Sequence, residues 1–375
     1  WGALGGARVR RGPTASLRDP LSMGPRVATK IYRHPRKMCA RQLSRTAEYI
    51  RREKATNANN YAPLPVVLHS AKGVRATDVD GKTYLDFLSA YSAVNQGHAH
   101  PKILEALTSQ AQTLALTSRA FHNSLLAEYA EFVTDYFQFD RLLPMNTGVE
   151  GGETAIKLAR RWGYDVKGIP EDEAAIVFCE NNFWGRSLSA CSSSSDPSCR
   201  KGFGPFMSHM PLIPFGDLGA LEEVLCSNPH VAGFMLEPIQ GEAGVVLPPD
   251  GYLAGVRELC TRYNVLMIAD EVQTGIGRTG KLLAVDHEDV KPDLLILGKA
   301  LSGGVYPVSA VLGSDEVLLT IGPGEHGSTY GGNPLGCAVA MAALKVVRDE
   351  KLAENAAVMG ERLRAGLRAA GHPAV

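Results

Sequence analysis

The chain has 375 residues, of which 45% are hydrophobic and 21% are charged, so it exceeds the size at which a single core stops growing. Its 39 basic and 39 acidic side chains leave no net charge, and this balance gives no support to nucleic acid or an anionic membrane as a partner. No apolar stretch reaches the roughly 20 residues that cross a bilayer, and the seven cysteines form no Cys-x-x-Cys pair, which is typical of reduced thiols inside a cell.

The beginning of the chain is strongly basic. Residues 1–46 contain eleven arginine or lysine side chains and the single acid Asp19, mixed with serine, glycine, proline and alanine. This composition is typical of a mitochondrial transit peptide. A disordered basic tail, or translated sequence upstream of a start at Met23 or Met38, would have the same composition. We predict a basic leader over residues 1–46 and a mitochondrial matrix protein, with a cytoplasmic location as the alternative.

Beyond the leader, short apolar runs alternate with segments of helical periodicity. The runs predict strands at residues 175–179, 231–236, 265–269, 294–297 and 309–312. The periodic segments predict helices at residues 154–162, 253–262, 334–348 and 352–369. Strands that are separated by helices imply an α/β fold with a mainly parallel, doubly wound sheet. The serine-rich residues 192–195 predict a surface loop.

Two polar side chains follow apolar runs of this predicted sheet. Lys299 comes after residues 294–297, and Asp270 comes directly after residues 265–269. A lysine at the end of a buried strand is partly desolvated, which favours the neutral amine that forms a Schiff base with a carbonyl. An aspartate so placed can keep the ring nitrogen of pyridoxal phosphate protonated. Ligands of open α/β sheets bind at the carboxyl ends of strands, so the pair predicts a cofactor site. The alternative is a solvated lysine and a helix-capping aspartate.

A cluster of small residues precedes the first predicted helix. Residues 146–152 read Asn-Thr-Gly-Val-Glu-Gly-Gly and lead into a helical segment. Small residues expose backbone N–H groups at a helix start, where an anion is stabilised. Gly148 and Val149 are therefore the predicted phosphate donors. The alternative is an ordinary glycine turn, because the segment matches neither the Walker pattern nor the dinucleotide fingerprint.

Six short motifs follow one another within residues 59–355: Asn146-Thr147-Gly148-Val149-Glu150, Asn182-Phe183-Trp184-Gly185-Arg186, Glu237-Pro238-Ile239-Gln240-Gly241-Glu242-Ala243-Gly244, Asp270-Glu271-Val272-Gln273-Thr274-Gly275, Gly298-Lys299-Ala300 and His326-Gly327-Ser328-Thr329-Tyr330-Gly331-Gly332-Asn333-Pro334. In residues and in order they resemble the motifs of the class III pyridoxal-phosphate-dependent aminotransferases. The resemblance implies fold type I, with a small α+β domain built from both ends of the chain. We expect residues 47–101 to begin this small domain, residues 102–350 to form the large cofactor-binding domain, and residues 351–375 to start an incomplete C-terminal part.

The resemblance assigns cofactor roles position by position. Lys299 would bind the cofactor covalently and move the proton between the substrate carbon and the cofactor C4′. Asp270 would pair with the ring nitrogen. The remaining assignments are Gln273 to the ring hydroxyl oxygen, Phe183 and Val272 to the two ring faces, and Ser328 and Thr329 to the cofactor phosphate of a neighbouring subunit. The family therefore implies a homodimer, and no metal is called for.

Within the family, the sequence is similar to members that transfer the terminal amine of ornithine to 2-oxoglutarate, giving glutamate 5-semialdehyde and glutamate. The resemblance assigns substrate recognition to Tyr61, Tyr91, Arg186 and Glu242. Arg186 would clamp a substrate carboxylate with two hydrogen bonds. Glu242 pairs in the family with a C-terminal arginine, and we expect that arginine to be absent from these residues. Without the resemblance, a surface arginine and a loop carboxylate would be the ordinary interpretation.

Three other functions stay open at this stage. The first is a class III aminotransferase that acts on N-acetylornithine or 4-aminobutyrate. The second is a catalytically silent subunit that binds the cofactor and pairs with a complete partner. The third is a nucleic-acid binder that uses the basic leader, which is disfavoured because Tyr32 is the single aromatic residue between Arg8 and Arg45 and does not make a stacking platform.

Overall fold

The computed structural model describes residues 44–371, so most of the predicted leader and residues 372–375 lie outside the described range. The strands are β1 (Leu68–Lys72), β2 (Arg75–Asp78), β3 (Thr83–Leu85), β4 (Arg141–Met145), β5 (Ala175–Cys179), β6 (Leu212–Ile213), β7 (Val231–Leu236), β8 (Leu266–Asp270), β9 (Leu294–Leu297) and β10 (Ser309–Gly313). The helices are α1 (Arg45–Thr56), α2 (Ser89–Ser92), α3 (Pro101–Thr113), α4 (Ser124–Phe137), α5 (Gly148–Asp165), α6 (Leu188–Ser192), α7 (Pro197–Arg200), α8 (Leu218–Ser227), α9 (Tyr252–Arg262), α10 (Asp315–Leu318), α11 (Pro334–Asp349) and α12 (Leu352–Ala369). Within the described range, none of these helices has both the length and the apolar character of a membrane span.

The main sheet has seven strands in the order β4-β10-β9-β8-β7-β5-β6. Pairing is parallel from β6 to β9, and β10 runs antiparallel to both β9 and β4. The predicted α/β fold with a mainly parallel sheet is therefore confirmed. The sequence does not predict the edge strands β4 and β6. β4 contains Pro144, which an edge strand tolerates and a central strand does not, and β6 has only two residues.

Helices cover both faces of this sheet. Leu295 and Leu297 of β9 belong to the core cluster that includes residues of α4, α9 and α11. Leu294 and Ile296 of the same strand belong to the cluster on the other face, with apolar residues of α5. Because successive side chains of a strand point to opposite faces, a strand buried on both faces is apolar throughout. This explains why the central strands appear in the sequence as unbroken apolar runs.

The serine-rich segment is not a surface loop, so this prediction is wrong. Ser192 ends α6, and residues 192–194 are buried. The Ser192 hydroxyl donates to the carbonyl oxygen of Leu188 at 2.7 Å, and the Ser193 hydroxyl accepts the indole N–H of Trp184 at 2.8 Å. Hydrogen bonds of this kind let small hydroxyl side chains enter the interior.

A separate antiparallel sheet of β1, β2 and β3 precedes an unusual turn. The four residues of α2 all have positive φ, from 46° to 72°, so the turn is left-handed. For residues other than glycine this conformation costs roughly 1–2 kcal/mol each. Asp86 accepts the N–H of Ser89 at 2.8 Å, and Arg278 donates to the Ser89 hydroxyl at 3.1 Å. These bonds hold the turn that carries Tyr91.

The predicted division into a small and a large domain stays a prediction.

Candidate active site

Three ionisable side chains meet at the carboxyl ends of the central strands. Asp270 is the last residue of β8, Glu237 follows β7, and Lys299 lies two residues after β9. The parallel pairing of β7, β8 and β9 brings these strand ends side by side. All three side chains line one cavity of about 260 Å³. The cavity lies where open α/β sheets bind their ligands.

Lys299 has an uncommon backbone conformation. Its φ of 42° is in the left-handed region, which side chains with a Cβ rarely adopt. The turn after it is fixed by Gln96, whose amide donates to the carbonyl oxygen of Ala300 at 2.9 Å. Lys299 and Gly148 also line an adjoining hollow of about 350 Å³. The strained residue thus stands between two cavities, which is a common situation of catalytic side chains.

Asp270 is a buried carboxylate with 6% of its surface exposed. Its Oδ1 accepts the backbone N–H of Val272 at 3.0 Å. Burial raises the pKa of Asp270 to about 6, whereas the Val272 hydrogen bond and the charge of Lys299 act in the opposite direction. At neutral pH the carboxyl group is therefore mostly ionised and able to pair with a protonated ring nitrogen.

The start of α5 opens into the same cavity. Thr147 caps the helix and accepts the N–H of Glu150, and the Glu150 carboxylate accepts the N–H of Thr147 at 2.8 Å. This capping box leaves the N–H groups of Gly148 and Val149 at the first turn, where the helix itself offers them no acceptor. Both residues line the cavity. An anion at this point would accept their hydrogen bonds and meet the positive end of the helix dipole.

Close packing explains the glycines of this segment. A Cβ on Gly152 would lie 2.5 Å from the ring of Trp184, and a Cβ on Gly185 would lie 2.3 Å from the side chain of Val149. Gly185 also has a φ of 151°. The helix and the loop that carries Phe183 therefore approach each other closely only because both positions lack side chains.

Phe183 and Val272 are apolar side chains of the cavity wall. The N–H of Phe183 donates to Oε2 of Glu237 at 3.0 Å, which fixes the backbone of the loop. Val272 packs against the α-carbon side of Gly148, where a Cβ would lie 2.9 Å away. Gln273 also lines the cavity, and its amide donates to the Glu242 carboxylate at 3.0 Å.

The four predicted substrate residues are exposed and do not line this cavity. The Arg186 guanidinium lies 5.4 Å from the ring centre of Phe183 and donates to the Cys199 sulfur at 3.4 Å. Glu242 accepts a hydrogen bond from Gln273, which lines the cavity. Arg186 and Glu242 therefore lie at the rim of the cavity. Tyr61 lines a different hollow, formed with α1, and Tyr91 stands on the left-handed turn.

Ser328 and Thr329 do not line the cavity of their own chain either. The Ser328 hydroxyl accepts hydrogen bonds from the Asn146 side chain at 2.9 Å and from the N–H of Gly331 at 2.8 Å. His326 fixes the same loop through a hydrogen bond of 2.8 Å between its Nε2 and the Thr154 hydroxyl. The loop is therefore anchored beside the start of α5.

The residue-by-residue predictions do not include three residues that line the cavity, namely Trp184, Gly185 and Glu237. All three belong to the quoted motifs, but none has a chemistry that marks it from sequence. The position of Glu237 directly after an apolar strand was the one available signal, and it is the same signal that marks Asp270.

This set of groups fits pyridoxal phosphate. The cavity offers an amine for its aldehyde, an ionised carboxylate for its ring nitrogen, apolar side chains for its ring faces and helix N–H groups for its phosphate. Gly152 packs against Trp184 and Gly185 packs against Val149, and neither position has room for a larger residue. The fit depends on side chains and backbone N–H groups of the described residues.

Comparisons with known proteins agree with this site. The family model described as "Aminotransferase class-III" matches residues 56–374. A mitochondrial ornithine aminotransferase of Drosophila melanogaster is 67% identical over 86% of this chain and 74% of its own length. The crystal structure of the ornithine aminotransferase from Toxoplasma gondii ME49 has a TM-score of 0.86 and 50% identity, covering 87% of this chain and 77% of its own. An acetylornithine aminotransferase from Elizabethkingia anophelis has a TM-score of 0.79 and 54% identity, covering 87% of this chain and 79% of its own.

The family match spans far more than half of the chain, and the relative from Drosophila is well above the identity at which family membership is secure. The chain therefore belongs to the class III aminotransferases, which use pyridoxal 5′-phosphate as their cofactor.

Proposed function

We propose that the chain transfers the terminal amine of L-ornithine to 2-oxoglutarate and so forms glutamate 5-semialdehyde and glutamate. The observation that carries the proposal is the convergence of Lys299, Asp270 and the start of α5 on one cavity. The choice of ornithine is supported by the names of the relatives from Drosophila and Toxoplasma. Both cover most of this chain at 50% identity or more.

The chemistry divides between the cofactor and the chain. Pyridoxal phosphate supplies an aldehyde that captures amines and a protonated ring that accepts electrons from the substrate carbon. Lys299 would hold the cofactor through its aldehyde, and its amine, when free, would be the base that carries a proton to and from the substrate carbon. Asp270 keeps the ring nitrogen protonated, because its carboxyl group is ionised at neutral pH. Lys299 and Asp270 thus act on opposite ends of the same ring.

The other residues of the cavity hold the ring in one plane. Gly148 and Val149 would donate their N–H groups to the phosphate. Phe183 would stack on one face of the ring and Val272 would pack on the other. Gln273 would donate to the ring hydroxyl oxygen, since its amide nitrogen has two N–H groups and only one donates to the Glu242 carboxylate.

Substrate recognition is assigned to the four exposed residues. Arg186, at the rim beside Phe183, would clamp the α-carboxylate of ornithine and the side-chain carboxylate of glutamate in turn. Tyr61 and Tyr91 would contact ornithine, and Glu242 would switch partners between the two half-reactions. Since Tyr61 and Tyr91 lie away from the cavity, this part of the proposal requires them to approach it on substrate binding.

The assembly and location are also proposals. Ser328 is anchored by a hydrogen bond from Asn146, and neither Ser328 nor Thr329 lines the cavity of its own chain, which supports a homodimer in which they reach the cofactor phosphate of a second copy. The mitochondrial name of the relative from Drosophila supports a mitochondrial matrix location.

A second candidate substrate is N-acetylornithine. It is supported by the acetylornithine aminotransferase from Elizabethkingia anophelis, which is 54% identical to this chain. The two amines differ at the α-amino group, which is charged in ornithine and a neutral amide in N-acetylornithine. A comparison of turnover on ornithine, N-acetylornithine and 4-aminobutyrate distinguishes the candidates.

The decisive experiment is a visible absorbance spectrum of the purified chain with pyridoxal phosphate. Ornithine is then added without 2-oxoglutarate. We expect the band of the bound cofactor to bleach, because the amine is transferred to the cofactor in this half-reaction. Bleaching with N-acetylornithine alone would favour the second candidate. A band that no amine bleaches would contradict both and identify a silent cofactor-binding subunit.

A further inference from the structure

Glu237 is a buried acid in the cofactor cavity to which the reaction assigns no role. Only 8% of its surface is exposed, and it directly follows β7. β7 and β8 run parallel with Leu236 paired to Ala269, so Glu237 and Asp270 are neighbours at adjacent strand ends. Two carboxyl groups in such a position are not both ionised without strong repulsion. We therefore expect one of them to hold a proton.

The surroundings decide which one. Burial, and after it the nearby charge of Asp270, raise the pKa of Glu237 to about 8, although the N–H groups of Phe183 and Gly241 and the charge of Lys299 act in the opposite direction. Burial raises the pKa of Asp270 only to about 6. At neutral pH, Glu237 therefore holds the proton and Asp270 carries the charge.

The titratable groups that face Glu237 come from three other elements. Asp270 stands on β8, Lys299 on the turn after β9, and Cys179 on β5. Burial raises the pKa of the Cys179 thiol to about 12, so this group stays neutral. Asp270 is thus the neighbouring anion that disfavours a charge on Glu237, and Lys299 is the cation that favours it.

Glu237 also fixes the loop that covers the cavity. Its Oε2 accepts the N–H of Phe183 at 3.0 Å. The next residue, Trp184, is held by its own hydrogen bond to Ser193 and by contact with Gly152. Without the Glu237 oxygen, a partly buried N–H would lose its acceptor and Phe183 would lose its fixed position.

We propose that Glu237 is a positioning residue that acts as a neutral acid. One function is to hold Phe183 against the cofactor ring. The other is to leave Asp270 as the single negative charge available to the ring nitrogen. The proposal rests on the proposed cofactor site and is independent of whether ornithine is the amine.

Two variants separate these functions. Glu237→Gln keeps an oxygen that can accept the Phe183 N–H and has no acidic proton. Glu237→Ala removes both. We expect the circular dichroism of the bound cofactor to be retained in Glu237→Gln and strongly reduced in Glu237→Ala. Cofactor should dissociate about ten- to a hundredfold faster from Glu237→Ala, as expected for the loss of one buried hydrogen bond. Equal dichroism and equal dissociation in both variants would overturn the positioning role.

The proton itself is visible by infrared spectroscopy without the cofactor. A protonated carboxylic acid has a carbonyl stretch well separated from that of a carboxylate. In the infrared difference spectrum of wild type minus Glu237→Gln, we expect the band of the protonated acid at neutral pH. The band should disappear as the pH rises through about 8, the pKa of Glu237. Absence of the band at neutral pH would overturn the neutral acid. Neither result depends on turnover, so a failure of the proposed function would not be mistaken for a failure here.

Stability gives an independent check with a defined sign. The Glu237 carboxyl has its ordinary pKa of 4.5 in the unfolded chain and a pKa of about 8 in the folded chain. Between these values the folded state binds one more proton, so stability falls as the pH rises through this window. Glu237→Gln lacks that fall, while Asp270 and Glu271 titrate in both proteins. The melting temperature of Glu237→Gln relative to wild type should therefore increase from acid to alkaline pH, and a constant difference would overturn the proposal.

Discussion

The cofactor cavity and the substrate residues differ sharply in how the chain positions them. Asp270 and Glu237 are 6% and 8% exposed, and they are fixed by the ends of central strands. Tyr61 and Tyr91 are 73% and 56% exposed, and they stand on irregular segments outside the main sheet. The sheet thus positions the residues that we propose for the chemistry, whereas the residues that we propose for specificity stand on segments that the described chain leaves open to solvent.

This difference separates two kinds of mutational effect. A change in the cavity would remove a group that we propose to act on the cofactor ring. A change at an exposed residue alters how well a substrate is held, while the ring chemistry continues. The following predictions test this separation, because each measures cofactor retention and turnover apart from substrate affinity.

Lys299→Ala should have the largest effect. The variant loses both the covalent attachment of the cofactor and the base that moves the proton. We expect kcat to fall by at least about 10⁴-fold. Borohydride reduction followed by mass spectrometry should attach the cofactor to wild type and not to the variant. Lys281→Ala, at an exposed lysine, is the matched control and should behave as wild type. Full activity of Lys299→Ala would contradict the whole assignment.

Asp270→Ala should have the second largest effect on turnover. Loss of the carboxylate leaves the ring nitrogen without its anionic partner, so the ring accepts electrons poorly. We expect kcat to fall by about 10²–10³-fold, as for other buried electrostatic partners, together with faster loss of the cofactor. The check is a single-turnover measurement with ornithine on protein saturated with cofactor. Asp270→Asn keeps the shape of the side chain, so normal turnover in that variant would contradict the need for a charge.

The cavity was largely predictable because it follows from the sheet. The apolar runs 175–179, 231–236 and 294–297 coincide with β5, β7 and β9, since a strand buried on both faces must be apolar at every position. Once the parallel order is inferred, the residues after these runs must share one edge. This reasoning brings Asp270 and Lys299 together without any knowledge of side-chain contacts.

Other features had no such signal. The left-handed turn of residues 89–92 contains no glycine, so local residue preferences do not predict it, and tertiary hydrogen bonds from Asp86 and Arg278 hold it. Residues 192–194 are buried because their hydroxyl groups find partners across the fold, which composition does not reveal. In both cases, contacts between distant segments override the local pattern.

Arg186→Lys tests the exposed half of the site. Lysine keeps the charge but loses the planar fork that binds a carboxylate through two hydrogen bonds. We expect KM for ornithine and for 2-oxoglutarate to rise about ten- to a hundredfold, with cofactor retention unchanged. Steady-state kinetics with each substrate varied in turn measures this. Arg362→Lys, on the exposed surface of α12, is the control. If Arg186→Lys lost cofactor to the same extent as it lost substrate affinity, the arginine would belong to the cofactor cavity instead.

Glu242→Ala should have the smallest effect, and it is the most informative about how the two halves of the site communicate. Its carboxylate contacts the Gln273 amide at 3.0 Å, and Gln273 lines the cofactor cavity. Removal of the carboxylate releases that amide toward the ring hydroxyl oxygen, so cofactor affinity should stay equal or increase slightly. The half-reaction with ornithine should slow by about two- to tenfold relative to the half-reaction with glutamate, because the contacts of an exposed carboxylate contribute little. Stopped-flow absorbance measures the two rates separately, with Glu223→Ala on the surface of α8 as the control. If both half-reactions slow equally, Glu242 supports the cavity through Gln273 rather than distinguishing the substrates.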